Sequence, residues 1–148
     1  MLKYSTLVVA LIALPLAAHA TLGEPAASVP SDSVRLKASV RVLGTGAAYT
    51  VHELTLPTGT IVREFLNDAG TVFAVSWRGP FMPDLQALLG SYFTTYAKAP
   101  RGAGSNRSHL AIDESNLVVR AGGHQRAFVG LAYVPRLLPP GLNPGALQ

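Results

Sequence analysis

The stretch from Tyr49 to Tyr96 reads YTVHELTLPTGTIVREFLNDAGTVFAVSWRGPFMPDLQALLGSYFTTY. It contains three runs of seven or eight residues that are rich in Val, Ile, Thr, Phe and Trp, as β-strands are. The runs are Tyr49–Leu56, Thr60–Leu66 and Thr71–Arg78. Pro57-Thr58-Gly59 and Asn67–Gly70, which separate them, have the composition of hairpin turns. The stretch therefore predicts a meander of three antiparallel strands.

An amphipathic helix is predicted directly after the third run. Apolar residues recur there at the spacing i, i+3, i+4, i+7, i+8 and i+11, which places them on one face of a helix. They are Leu85, Leu88, Leu89, Tyr92, Phe93 and Tyr96. Asp84 can cap the first turn, and Pro83 is tolerated beside it. We expect a helix from about Asp84 to Ala97 that packs on the sheet.

Side chains alternate between the two faces of a strand. Phe73, Val75 and Trp77 are therefore expected to share one face of the third strand. This face carries the largest apolar side chains, so it is the face that the helix is predicted to cover.

Residues 1–20 have the composition of a secretory signal peptide. Lys3 precedes an apolar run from Leu7 to Leu16, and the small-residue ending Ala18-His19-Ala20 predicts cleavage after Ala20. The apolar run is about half the ~20 residues that a membrane span needs. With no cysteine near the cut, a lipid anchor is not expected. The sequence predicts an exported, periplasmic or secreted product with no membrane span after cleavage.

Charge and cysteine content restrict which binding partners and which cellular compartment are expected for this protein. Removal of Lys3 leaves 11 basic against 8 acidic residues, a net charge of +3 without a basic run. This mild excess does not predict nucleic-acid binding, although it allows a weak attraction to anionic envelope surfaces. Because the chain has no cysteine, it tolerates an oxidising compartment without disulfides and depends on burial for stability.

The residues before Tyr49 predict a lead-in and one more strand. Thr21–Asp32 is rich in Ala, Pro and Ser and is expected to be flexible. Residues 33–43 alternate apolar and polar, which indicates a strand with one wet face. A helix with Leu36, Val40 and Leu43 on one side is the alternative. Gly44-Thr45-Gly46 is interpreted as a plain loop, since the third glycine of a dinucleotide-binding motif is missing.

The residues after the helix predict a loop, three strands and a tail. Lys98–Ser108 is interpreted as a surface connection, with an anion-binding loop as the alternative. The expected strands are His109–Ile112, Leu117–Ala121 and Gln125–Val134, with a hairpin turn at Gly122-Gly123. Four prolines make residues 135–148 an extended tail or edge cover. Residues 33–134 are thus expected to form a single α+β domain, an antiparallel sheet of about six or seven strands with one principal helix.

The sequence shows no recognisable catalytic set. Without cysteine there is no thiol nucleophile, and no Gly-x-Ser-x-Gly elbow exposes a serine. His52, His109 and His124 have none of the spacings typical of metal ligands, so neither a metal nor a cofactor is predicted. We therefore expect a protein without enzymatic activity.

Candidate binding residues cluster around an unusual corner, Trp77-Arg78-Gly79-Pro80 followed by Phe81. The aromatic side chains could line a groove between sheet and helix, although burial in the core is the more common use of Trp. The full candidate set adds polar side chains from other parts of the chain and consists of Trp77, Arg78, Phe81, Arg63, His52, His124 and Arg126.

Several segments together resemble domain-of-unknown-function family 2844. They are Tyr49–Glu53, Pro57–Phe65, Gly70–Pro80, Pro83–Phe93, Gly123-His124 and Arg126–Gly130. The resemblance covers nearly all of the mature chain. It implies a small exported protein of Gram-negative bacteria and a periplasmic location. Since the family has no established activity, no catalytic residue can be carried over.

These observations favour a non-catalytic binding or accessory module that acts on an envelope component or an unknown partner protein. The alternative is a small periplasmic hydrolase or ligand-binding enzyme that uses His52, Glu64 or His124 with nearby arginines. The two hypotheses differ in whether these side chains converge in one cleft.

Overall fold

A computed structural model describes residues 21–25, 34, 37–45, 48–101 and 109–147. Its main element is a seven-stranded antiparallel sheet. The strands are β1 (Ser39–Thr45), β2 (Thr50–Thr55), β3 (Ile61–Leu66), β4 (Val72–Gly79), β5 (His109–Glu114), β6 (Leu117–His124) and β7 (Ala127–Tyr133). The predicted α+β class is confirmed.

The order of the strands across the sheet is β1-β2-β3-β4-β7-β6-β5. The first four strands form a meander, which confirms the three predicted strands and their antiparallel pairing. After the helical segment the chain returns so that β7 pairs with β4. The strands β1 and β5 are therefore the two edges of the sheet.

The predicted helix is a helical segment of three consecutive parts. These are α1 (Leu85–Leu89), a 3-10 turn (Gly90–Tyr92) and α2 (Phe93–Lys98). Asp84 caps the start of α1, as predicted, because its side chain accepts a hydrogen bond of 3.0 Å from the backbone N–H of Ala87. Gly90 has φ +50°, which interrupts the regular α-helix at this glycine.

The first face of the sheet packs against this helical segment. The predicted stripe faces the sheet: Leu88, Leu89 and Tyr92 are buried, and the other three stripe residues pack against the same cluster. Val75 and Trp77 of β4 belong to this cluster as well. The predicted helical stripe therefore packs on the sheet face that carries Val75 and Trp77, as the sequence predicted.

Phe73 corrects the predicted face of β4. Phe65 pairs with Ala74 and Leu66 pairs with Val72, so Phe73 is the extra residue of a β-bulge. The bulge shifts the alternation of side chains, and Phe73 packs in a second cluster on the opposite face of the sheet. The prediction that Phe73 shares a face with Val75 and Trp77 is wrong, because strict alternation fails at a bulge.

The second face carries this smaller cluster, which the C-terminal residues cover. Phe65, Phe73, Ala74 and Leu131 are buried there together with Leu147, which is 1% exposed. Leu138 and Leu142 pack against the same cluster. The 3-10 turns Pro135–Leu137 and Pro144–Ala146 lead the chain across it. The proline-rich C-terminal segment thus contributes a side chain to the core.

The structure corrects two predictions, one about a hairpin turn and one about a loop. β6 continues through Gly122 and Gly123 to His124, and the hairpin turn lies instead at Gln125 and Arg126, where Arg126 has φ +69°. A Cβ atom on Gly123 would lie 2.0 Å from the carbonyl oxygen of Ala127, so this glycine is required by close strand pairing. Gly44 and Thr45, predicted as a loop, belong to β1, with a register shift between Val42 and Gly44.

The N-terminal segment differs from its prediction at residues 21–25. Leu22 is fully buried in the first cluster, and its backbone N–H donates to the carbonyl of Leu88. Pro25 forms a β-bridge with Thr71. These five residues are therefore packed, while residues 26–32 of the predicted lead-in lie outside the described residues. β1 begins at Ser39, later than the predicted 33, and most of the Lys98–Ser108 loop is outside the description.

Candidate functional site

A cleft of about 210 Å³ lies on the second face, beyond the cluster that the C-terminal residues cover. Strands β3, β4 and β7 line it with Ile61, Arg63, Ser76, Trp77, Arg78, Val129 and Gly130. We call it the arginine cleft. Three of the seven candidate binding residues, Arg63, Trp77 and Arg78, are among its lining residues.

Strand register brings the two arginines of this cleft together. Arg63 on β3 lies directly opposite Ser76 on β4, and Arg78 follows Ser76 by two residues on the same face. Diagonal neighbours of this kind have side chains about 7–8 Å apart at their bases. The two arginine side chains therefore start from the same face of the sheet and line the same cleft.

Glu53 holds one of these arginines in place. Its carboxylate accepts from Nε of Arg63 at 3.0 Å and from Nη2 of Arg41 at 2.7 Å. Burial alone would raise the pKa of Glu53, but the hydrogen bonds from Arg41 and Arg63 and their positive charges outweigh it and lower the pKa below its usual value. Glu53 is therefore ionised at neutral pH, and Arg63 keeps its remaining N–H donors for other partners.

Arg78 differs from Arg63 in its surroundings. Its side chain is exposed, and no ion pair involves it within the described parts of the chain. Ile61 on one side and Val129 on the other lie directly opposite Arg78 in the sheet. The guanidinium group is thus flanked by two apolar β-branched side chains.

Trp77 is mainly a core residue, as its type suggests. It is 1% exposed and lies directly opposite Gly130 on β7. A Cβ atom on Gly130 would lie 2.1 Å from Cζ2 of the indole, so the ring occupies the space that a side chain there would need. Glycine at position 130 therefore allows the tryptophan to be buried.

A second cavity of about 110 Å³ lies where the helical segment meets the sheet. Its lining includes Trp77, Met82, Leu85, Tyr96 and Phe128. This position agrees with the predicted groove between sheet and helix, although Phe81 is not among the residues that line it. Phe81 is 55% exposed. Its backbone N–H donates a hydrogen bond to the hydroxyl of Thr60, and its carbonyl accepts one from the same hydroxyl.

His52 and Glu64 lie opposite each other on β2 and β3. Both are on the first face of the sheet, where Glu64 is fully buried. Burial lowers the pKa of His52, which favours its neutral form, and its Nδ1 atom is buried without a hydrogen-bond partner in the described residues. His124 and Arg126 lie at the exposed β6–β7 hairpin. The polar candidates therefore divide among the arginine cleft, the first face and this hairpin.

Sequence patterns alone missed five residues of this region: Glu53, Ile61, Ser76, Val129 and Gly130. Each is an ordinary strand residue with no motif around it. The signal that could have found Glu53 and Ser76 is the pairing of β2, β3 and β4, because both lie in one row across the sheet with Arg63. That row requires the register of each hairpin to be known.

The described residues contain neither a candidate metal cluster nor a candidate membrane-spanning helix. No group of three or more His, Asp or Glu side chains that could hold a metal ion occurs among them. Within the same residues, no helix has both the length and the apolar character needed to cross a membrane.

The comparisons with known proteins identify a family. No curated protein and no solved structure matches the chain. A family model described as a protein of unknown function, DUF2844, matches residues 18–147, which is most of the chain. By this match, the chain is a member of the DUF2844 family of proteins of unknown function.

Proposed function

We propose that this protein is an exported, periplasmic binding or accessory module that uses no catalytic group and holds an envelope component or a partner protein in the arginine cleft. The proposal of export rests on the signal-peptide pattern of residues 1–20. The proposal of binding rests on the cleft, and the absence of a recognisable nucleophile in the sequence favours binding over catalysis.

The arrangement of Arg63 and Arg78 is the observation that supports binding most strongly. Two cations on neighbouring strands repel each other, and the partly exposed Arg63 carries a carboxylate partner on one side only. Positive charges beside an apolar wall are typical of sites that bind an anionic group attached to an apolar body.

The alternative function is a small periplasmic hydrolase. The observation in its favour is that His52 and Glu64 face each other across β2 and β3, as an acid–base pair would. The burial of Glu64 on the first face and the distant hairpin position of His124 make it the weaker candidate.

Export can be tested by locating and sequencing the protein. We expect the full-length gene product to be recovered from the periplasmic fraction with Thr21 as its first residue. Intact Met1 in the cytosolic fraction would contradict the proposal of export without affecting the cleft.

Binding can be tested by affinity capture from envelope extract with the mature chain. Wild-type protein should retain a defined component, and the double variant Arg63→Ala/Arg78→Ala should lose it. The matched control is Lys98→Ala/Arg101→Ala, which removes two exposed positive charges outside the cleft. Equal retention by wild type and the cleft variant would show that the cleft is not the binding surface.

A further inference from the structure

We propose that the arginine cleft binds amphiphilic phosphomonoesters, with the phosphate between Arg63 and Arg78 and the apolar body along Ile61 and Val129. This inference rests on the proposed binding function and specifies the chemical class of the ligand. The proposal identifies the recognised group as a phosphomonoester. Both a membrane lipid and a soluble metabolite can carry this group.

The charge of the cleft matches a dianion better than a monoanion. Three arginines, Arg41, Arg63 and Arg78, and one carboxylate, Glu53, which pairs with the first two, give this group a net charge of 3 − 1 = +2. A phosphomonoester carries about −1.5 to −2 charges at pH 7, whereas a carboxylate carries one. The phosphate therefore balances this net charge, while a single carboxylate leaves one positive charge uncompensated.

The donors of the cleft also suit a phosphate. Nε of Arg63 is bonded to Glu53, which orients the guanidinium group and leaves its terminal N–H groups for a ligand. Ser76 lies directly opposite Arg63 and lines the same cleft with a hydroxyl group. Arginine forks bind phosphate oxygens in pairs, and three equivalent oxygens can accept from two forks and a hydroxyl at once.

The apolar part of the ligand is inferred from the flanks of Arg78. Ile61 and Val129 lie opposite Arg78 on the two neighbouring strands, and both are partly exposed on the cleft. Contact with these side chains removes apolar surface of the ligand from water, which tightens binding about fourfold for each buried CH₂ group. Inorganic phosphate lacks this contribution and should bind more weakly.

Calorimetric titration of the mature protein with octyl phosphate below its micellar concentration tests the inference. We expect binding of one octyl phosphate per chain, at least tenfold tighter than inorganic phosphate, and no heat from octanol at the same concentrations. Arg63→Ala and Arg78→Ala should each weaken binding at least tenfold, whereas Lys98→Ala/Arg101→Ala should change it less than twofold. Thermal unfolding of each variant verifies that it is folded.

Three outcomes would overturn the inference: no binding of octyl phosphate to the folded wild type, affinity unchanged in both arginine variants, or inorganic phosphate binding as tightly as octyl phosphate. Flotation with phosphatidic acid vesicles distinguishes the source, since arginine-dependent flotation assigns the phosphate to a lipid and binding of octyl phosphate alone assigns it to a soluble ester. Arginine-dependent capture of an envelope component without octyl phosphate binding would refute the ligand class and leave the proposed function standing.

Discussion

Gly130 shows how one residue without a side chain positions the largest residue of the core. It pairs with Trp77, whose indole is buried against it. The contact lies between the arginine cleft, which Gly130 and Trp77 both line, and the first cluster, to which Trp77 belongs. Any atom added at position 130 must therefore displace the ring or separate β4 from β7.

We predict that Gly130→Ala destabilises the protein by about 3 kcal/mol, at the upper end of the usual cost of overpacking a core. The new methyl group would lie 2.1 Å from Cζ2 of Trp77. Urea unfolding measures the loss. In a Trp77→Leu background the same glycine substitution should cost much less, because the indole is gone. A cost that is equal in both backgrounds would show that the ring is not the cause.

At the scale of the elements, Glu53 links three strands of the meander. It lies on β2 and pairs with Arg41 on β1 and Arg63 on β3. Its side chain is 8% exposed, whereas those of the two arginines are 72% and 38% exposed. Because the arginines remain in contact with water, the pairs contribute less than a fully buried ion pair would.

The lowered pKa of Glu53 determines the sign of its pH dependence. Its pairs stabilise the folded state above the usual glutamate pKa, and this contribution is lost as the pH falls through the lowered folded value. We expect Glu53→Gln to cost about 1–2 kcal/mol at pH 7, since its arginine partners are exposed. The difference from wild type should shrink towards zero near the acid limit, as measured by urea unfolding across pH.

Asp113→Asn provides a matched control for this prediction. It removes a carboxylate that pairs with Arg120 where both side chains are largely exposed. Its cost at pH 7 should lie within about 0.5 kcal/mol of zero. A Glu53→Gln difference that does not depend on pH would mean that shape, and not charge, explains its effect.

At the scale of the whole molecule, both ends of the described chain complete the core. Leu22 enters the first cluster, and Leu147 enters the second on the opposite face. Each is at most 1% exposed. The sheet is therefore covered by the helical segment and residues 21–25 on one face and by the C-terminal residues on part of the other.

We predict that Leu147→Ala destabilises the protein by about 2–5 kcal/mol, the usual cost of truncating a buried leucine. The side chain packs with Phe65 and Phe73, which the substitution would leave beside a cavity. Urea unfolding gives the change. Leu142→Ala is the control, since Leu142 is only partly buried against the same cluster and should cost less. An effect of Leu147→Ala below 0.5 kcal/mol would show that the C-terminal residues do not stabilise the sheet.

Much of the fold follows from short-range patterns. The strand runs from Tyr49 to Arg78, the capping residue Asp84 and the stripe from Leu85 to Tyr96 could all be located from the sequence. Periodicity, turns and caps involve residues within a few positions of each other, so the sequence expresses them directly. The candidate arginines 63 and 78 were also identifiable as single residues.

Other features of the fold and of the cleft depend on contacts between residues that are far apart in the chain. The bulge at Phe73 moves its ring to the second face, and the true turn at Gln125 and Arg126 displaces the expected Gly122-Gly123 turn. Only strand register places Glu53, Arg63 and Ser76 in one row. Local sequence by itself determined which residues form strands and helix, whereas pairing across the sheet decided which side chains meet, because register is set by packing the whole core at once.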